Sequence, residues 1–187
     1  MSFSDETKSS HSHMVNLPIV GGLILFTVFL GTTDLGFIPV PTQVKYATSM
    51  HLPTILASLL EGWPAGMIVG TVFGLTSMFT SGTPMASDPF VALLPRMFVG
   101  LTPYVVYLCL RDYNDYVRLG VAAVTGTLTN TMGFLGMATF LGYMQPEVAL
   151  SIAVVHGLPE CIVAVIIVIP GMFVMRRAQD YLQGFIR

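Results

Sequence analysis

The sequence predicts an all-α integral membrane protein, a single bundle of six transmembrane helices, and three observations carry that prediction. Of its 187 residues 53% are hydrophobic and 10% are charged, whereas a water-soluble domain carries about 25% charged residues. Mean hydropathy is +0.75. The apolar residues fall into six runs separated by Gly-, Pro- and Asp-rich turns. One crossing of roughly 30 Å of hydrocarbon takes about 20 residues, so six crossings use about 120 and leave no room for a separate soluble domain.

Residues 1–13, MSFSDETKSSHSH, are polar and lack an apolar h-region, so they read as a disordered leader rather than a cleavable signal, with one domain expected over 14–187. The first span is expected at about 15–34. The second and third, 47–61 and 65–80, are short for a bilayer. The tight turn EGWP (61–64) joins them and unambiguous spans flank them, which favours a hairpin through the membrane; without it four spans remain. After the turn SGTPMASDP (81–89) come the fourth span at 89–110, the fifth at 119–143 and the sixth at 148–175. Arg111 and Arg118 flank the fourth-to-fifth loop, and Arg176, Arg177 and Arg187 follow the sixth span. Two crossings separate these clusters, so both fit the cytoplasmic side, where Lys and Arg are retained. Six spans then put the amino terminus there too, and 35–46, 81–88 and 144–147 outside, with Lys45 the basic exception.

Composition also excludes functions. The two lysines, Lys8 and Lys45, do not sit in a G-x-x-x-x-G-K-[ST] loop, so ATP would have to be hydrolysed by another protein. A net charge of −2 offers no basic patch for nucleic acid, and Cys109 and Cys161 lie in apolar runs as small hydrophobes. No G-x-S-x-G elbow and no metal-binding helix with a second ligand cluster is present, so an intramembrane enzyme is not expected, and neither is a cofactor or a metal.

An ionisable side chain at membrane depth costs at least about 2.5 kcal/mol and must face protein or a water-filled cavity. At about 1.5 Å per residue, Arg96 lies roughly 10 Å below the outer end of the fourth span, His156 roughly 12 Å below that of the sixth, and Glu160 about 6 Å deeper. Asn130 falls near the middle of the fifth span, and His51 about one turn into the second. Polar groups from different helices at similar depth suggest a pocket open to the exterior. The planar fork of Arg96 matches a carboxylate, either of an anionic ligand or of Glu160 or Asp88 in an internal ion pair. His156 and Glu160, four apart, suit a local hydrogen-bonded pair, a weak metal site with His51, or a proton relay in a self-sufficient carrier. Asn130 can donate and accept, or glue helices beside Gly126, Gly133 and Gly136, which are expected to permit close packing. The prolines of GFIPVPTQVKYA stiffen a loop that could close over a pocket.

Residues 51–80, with His51-Leu52-Pro53 and the run Gly66, Gly70, Gly74-Leu75-Thr76-Ser77, then Leu94-Pro95-Arg96 with Gly100, and GTLTNT at 126–131, resemble the substrate-binding S components of energy-coupling-factor (ECF) vitamin transporters. The resemblance covers most of 35–140 and is greatest to the pantothenate-specific members, with cobalamin, folate and riboflavin members as relatives. It implies a six-helix bundle in a bacterial cell membrane, a vitamin held in an outer-facing pocket under the first external loop, and docking on a transmembrane T subunit and two cytoplasmic ATPases. The expectation is therefore capture of a small anionic vitamin, with Arg96 on its carboxylate and Asn130, His51, His156 and Glu160 in the substrate site. Where such proteins carry an A-x-x-x-A docking pattern in the first helix, this one offers Thr27 and Gly31, with Gly21 and Gly22 nearer the cytoplasmic end.

Overall fold

Helices dominate the computed structural model, which describes residues 16–39 and 46–186; the expected leader at 1–13, Lys45 and Arg187 lie outside the described residues. In chain order come α1 (Leu17–Thr32), a 3-10 turn (Asp34–Gly36), strands β1 (Phe37–Pro39) and β2 (Tyr46–Thr48), then α2 (Leu52–Glu61), α3 (Trp63–Thr80), the one-turn α4 (Pro84–Ser87), α5 (Pro89–Cys109), α6 (Asp115–Phe140) and α7 (Pro146–Ile186). Each of the six apolar runs thus becomes a helix. By length and composition α5 and residues 146–181 of α7 are long and apolar enough to cross a membrane.

Two boundaries differ from expectation, for physical reasons. The second run is not helical from 47: its start pairs as β2 with β1 in antiparallel register, Phe37 opposite Thr48 and Pro39 opposite Tyr46. Pro53 stands in the first turn of α2, where upstream extension would drive its ring into the carbonyl four residues earlier. That carbonyl, Ser49 O, instead accepts Leu52 N at 3.0 Å. The sixth run continues past 175, because Arg176 to Tyr181 are compatible with helix and contain neither Gly nor Pro. Between α2 and α3 the chain reverses at Gly62, whose φ of +89° favours a residue without a Cβ.

The close contact that positions the site lies between α3 and α5. Gly66, Gly70 and Gly74, one per turn on a single face of α3, oppose Gly100, Arg96 and Ala92 of antiparallel α5. A Cβ on Gly66 would come within 2.9 Å of Gly100 Cα, and one on Gly74 within 2.7 Å of the Ala92 carbonyl oxygen. Small residues let the two backbones touch. On α6, Gly126 and Gly133 pack as expected, with added Cβ atoms 2.7 Å from Ile55 and 2.8 Å from Pro95. Gly136 does not: it is exposed, and a Cβ there would meet open space. Around Ile55 and Ala57 of α2 a core gathers Val69, Val99, Leu119, Val168 and Met172 from four other helices.

At the end opposite α4, polar groups tie the helices. Arg176 Nη1 donates to Asp115 Oδ2 at 2.5 Å and Arg176 Nη2 to Tyr107 Oη at 2.9 Å, while Tyr107 Oη donates to Asp115 Oδ1 at 2.7 Å. Arg118 lies 3.7 Å from the centre of the Tyr107 ring. Partial burial pushes the Asp115 carboxyl up, but the bonds from Arg176 and Tyr107 and the charges of Arg176 and Arg118 outweigh it and hold the group below its ordinary value. Its contribution is therefore present above about pH 4 and lost as the pH falls through that lowered value. With Arg176 and Asp115 34% and 30% exposed, the pair is screened and contributes about 1 kcal/mol. Asp115→Asn should then lower the melting temperature at pH 7 by roughly 2–4 °C. The gap to the parent protein should close in acid; a gap that persists at pH 2 would assign the loss to something other than the carboxylate charge.

Candidate functional site

The site begins with two prolines. Pro89 opens α5 behind Asp88, whose Oδ1 accepts Phe90 N at 2.9 Å and Val91 N at 3.4 Å, so the helix start is fixed by a side-chain cap. Six residues on, Pro95 lacks the N–H that would bond the Val91 carbonyl. Arg96 takes its place, donating from Nη1 to Val91 O at 2.5 Å. One orphaned acceptor in the first turns of α5 thus holds the guanidinium.

Arg96 is 5% exposed. Its guanidinium lies 4.4 Å from the centre of the Phe134 ring and 5.2 Å from that of Phe73, an arrangement that stabilises a cation but supplies no counter-charge. Neither expected carboxylate pairs with it among the described residues. Asp88 caps α5 and accepts Tyr143 Oη at 2.9 Å. Glu160 accepts Thr131 Oγ1 at 2.7 Å and Thr48 N at 3.2 Å. Arg96 Nε has no hydrogen-bond partner among the described residues. A buried cation left in that condition is costly unless something anionic joins it.

Space for such a group exists. A cavity of about 410 Å³ has Arg96 in its wall with Asn130 and Phe134 of α6, His156 and Glu160 of α7 and Phe73 of α3. Thr80, Ser81, Thr83 and Met85, at the α3–α4 end, line it as well. Its size falls in the range of small-molecule sites. Asn130, another residue of the cavity wall, is buried and its Oδ1 lacks a partner among the described residues.

Four of the five residues expected at the site therefore share one cavity. The fifth, His51, is not among its lining residues: it is 2% exposed and its Nε2 lies 3.2 Å from Thr127 Oγ1. Phe73, Phe134 and Thr131 line the same cavity without having been expected there as site residues. Phe134 stood one helical turn after Asn130, a spacing that puts both on one face. The four small residues of α1 divide. Thr27 and Gly31 are buried, Gly31 so close to α3 that a Cβ would strike Met50 and Thr76, and the pair serves an internal contact. Gly21 and Gly22 face open space.

A cationic, aromatic-walled chamber with a buried amide fits a small carboxylate bearing hydrogen-bonding groups. The family described as "ECF transporter, substrate-specific component" matches residues 14–171. Over 152 residues the chain is 32% identical to the pantothenic acid transporter PanT of Lactococcus lactis subsp. cremoris (strain MG1363), a match covering 68% of this chain and 76% of that protein.

Proposed function

This chain belongs to the substrate-specific component family of ECF transporters, and from that premise we propose that it captures pantothenate outside a bacterial cell for uptake driven by partner subunits. A vitamin-specific transporter subunit is what the family and the relative named for pantothenic acid support. The observation that carries the choice of an anion is Arg96, buried at the cavity wall with no carboxylate partner among the described residues. In this reading the vitamin carboxylate takes the free edge of the guanidinium, and Asn130 and His156 bond its amide and hydroxyl groups. A charge-assisted contact contributes about 1.5–3 kcal/mol, whereas nanomolar affinity requires about 12. Burial against Phe73, Phe134 and the cavity-lining Met50, Met85 and Met144 supplies the remainder.

Six membrane spans with both termini cytoplasmic complete the proposal. α2 alone, 10 residues long, rises about 15 Å, so α2 and α3 together form a membrane hairpin with the β1–β2 ribbon at its outer end. A transmembrane T subunit and two ATPases would supply the energy, docking on the outward face of α1 around Gly21 and Gly22.

Equilibrium binding of labelled pantothenate to the purified protein tests the reading, with panthenol, the neutral alcohol analogue, and folate, riboflavin and cobalamin as competitors. Pantothenate should bind and panthenol should compete at least about a hundredfold less well, because it leaves the buried cation unpaired. Equal competition by panthenol, or no pantothenate binding, would overturn it.

A further inference from the structure

Glu160 lines the cavity, and each of its oxygens already accepts a hydrogen bond: Oε2 from Thr131 Oγ1 of α6 at 2.7 Å, Oε1 from the backbone N–H of Thr48 at 3.2 Å. Thr48 ends β2, and each strand of a two-stranded ribbon has an edge with no strand to bond. Strands of three residues do not hold a hairpin together by themselves. Within the ribbon the base is closed by Ser49, whose N and Oγ both donate to Gly36 O, at 2.9 and 3.2 Å. Glu160, which is 7% exposed, bonds that base to α7, and the bond at half-buried Thr48 is part-buried. Thr48 and, two residues on, Met50 themselves line the cavity.

From this geometry we infer that Glu160 is a positioning residue that seats the β1–β2 ribbon against the cavity. Loss of the seat frees the segment that forms one side of the chamber. The consequence for ligand retention rests on the binding function proposed above; the seating does not.

Hydrogen–deuterium exchange on the ligand-free full chain in lipid nanodiscs reads the seat directly. Glu160→Ala should speed exchange of the Thr48 amide about tenfold or more. Glu160→Gln should stay within about threefold of the parent, since its carbonyl can accept Thr48 N and its amide can donate to Thr131 Oγ1. With labelled pantothenate, Glu160→Ala should raise the dissociation rate by a similar factor and change association little. Unchanged exchange in Glu160→Ala overturns the inference. So does Glu160→Gln behaving like Glu160→Ala, because then the charge and not the seat is what matters. Should Glu160→Ala not fold, Thr131→Val reads the same seat by removing its second partner: faster exchange at Thr48 supports it and unchanged exchange sinks it. Faster exchange in the variants together with no pantothenate binding to the parent protein would leave the seat standing and remove the ligand.

Discussion

Replacing Arg96 by methionine is expected to cut pantothenate affinity by between about thirtyfold and a few thousandfold, while the ligand-free protein melts no lower than its parent. The two halves have one cause. Truncating one partner of a buried, hydrogen-bonded charge pair costs about 2–5 kcal/mol, and in the bound state the carboxylate would be left facing Phe73 and Phe134 without its cation. Without ligand the balance reverses. The guanidinium then sits 5% exposed, with a single main-chain acceptor at Val91 and an unpartnered Nε among the described residues. Exchanging a poorly compensated buried charge for an apolar side chain of similar length is neutral or stabilising. Arg96→Lys keeps the charge but not the planar fork, and should fall between the two, at least about tenfold weaker than the parent. Unchanged affinity in Arg96→Met would remove Arg96 from the site. A melting temperature well below the parent would make it a structural residue held by Val91 and the rings, not one waiting for an anion.

Much of this was legible in the sequence because burial of charge is expensive. Arg96, Asn130, His156 and Glu160 stand out in apolar runs, and four polar groups at similar depth on three helices imply a shared chamber. Phe73 and Phe134 do not stand out, since aromatic residues in apolar runs are ordinary. His51 has the right depth but the wrong bearing, turned to Thr127. Bearing is what such sequences hide: α1 is apolar all round, so hydrophobicity does not say that Thr27 and Gly31 face inward while Gly21 and Gly22 face out. On α6 the arithmetic was available. Gly126 and Gly133 are seven residues apart, nearly two full turns, and pack on one side; Gly136, three further on, is rotated by about 60° and misses it. The partners of Gly66, Gly70 and Gly74 were beyond reach, because a four-residue repeat marks a contact face without naming the helix that fills it.

That contact leads to the second large effect. Gly70→Val should lower the melting temperature and weaken pantothenate binding together, whereas Gly136→Ala should do neither. A Cβ at Gly70 would clash with the carbonyl oxygen of Arg96 and come 3.2 Å from Thr54 Cγ2. The carbonyl is main chain and has no rotamer to yield, so α3 and α5 must part at the residue that carries the cation. Overpacking of this kind costs about 1–3 kcal/mol, or roughly 2–12 °C for a chain of this size. The gain in helix propensity from Gly to Val is only a few tenths of a kcal/mol and does not offset it. Displacing the α5 backbone at Arg96 also disturbs the geometry fixed by Val91, Phe73 and Phe134, so affinity should fall about tenfold or more. Gly136→Ala gains up to about 1 kcal/mol of propensity and meets open space. Equal melting temperatures and equal affinities for Gly70→Val and the parent protein would mean that α3 and α5 do not approach closely at Arg96, and the cation would then be positioned by something other than the glycine face.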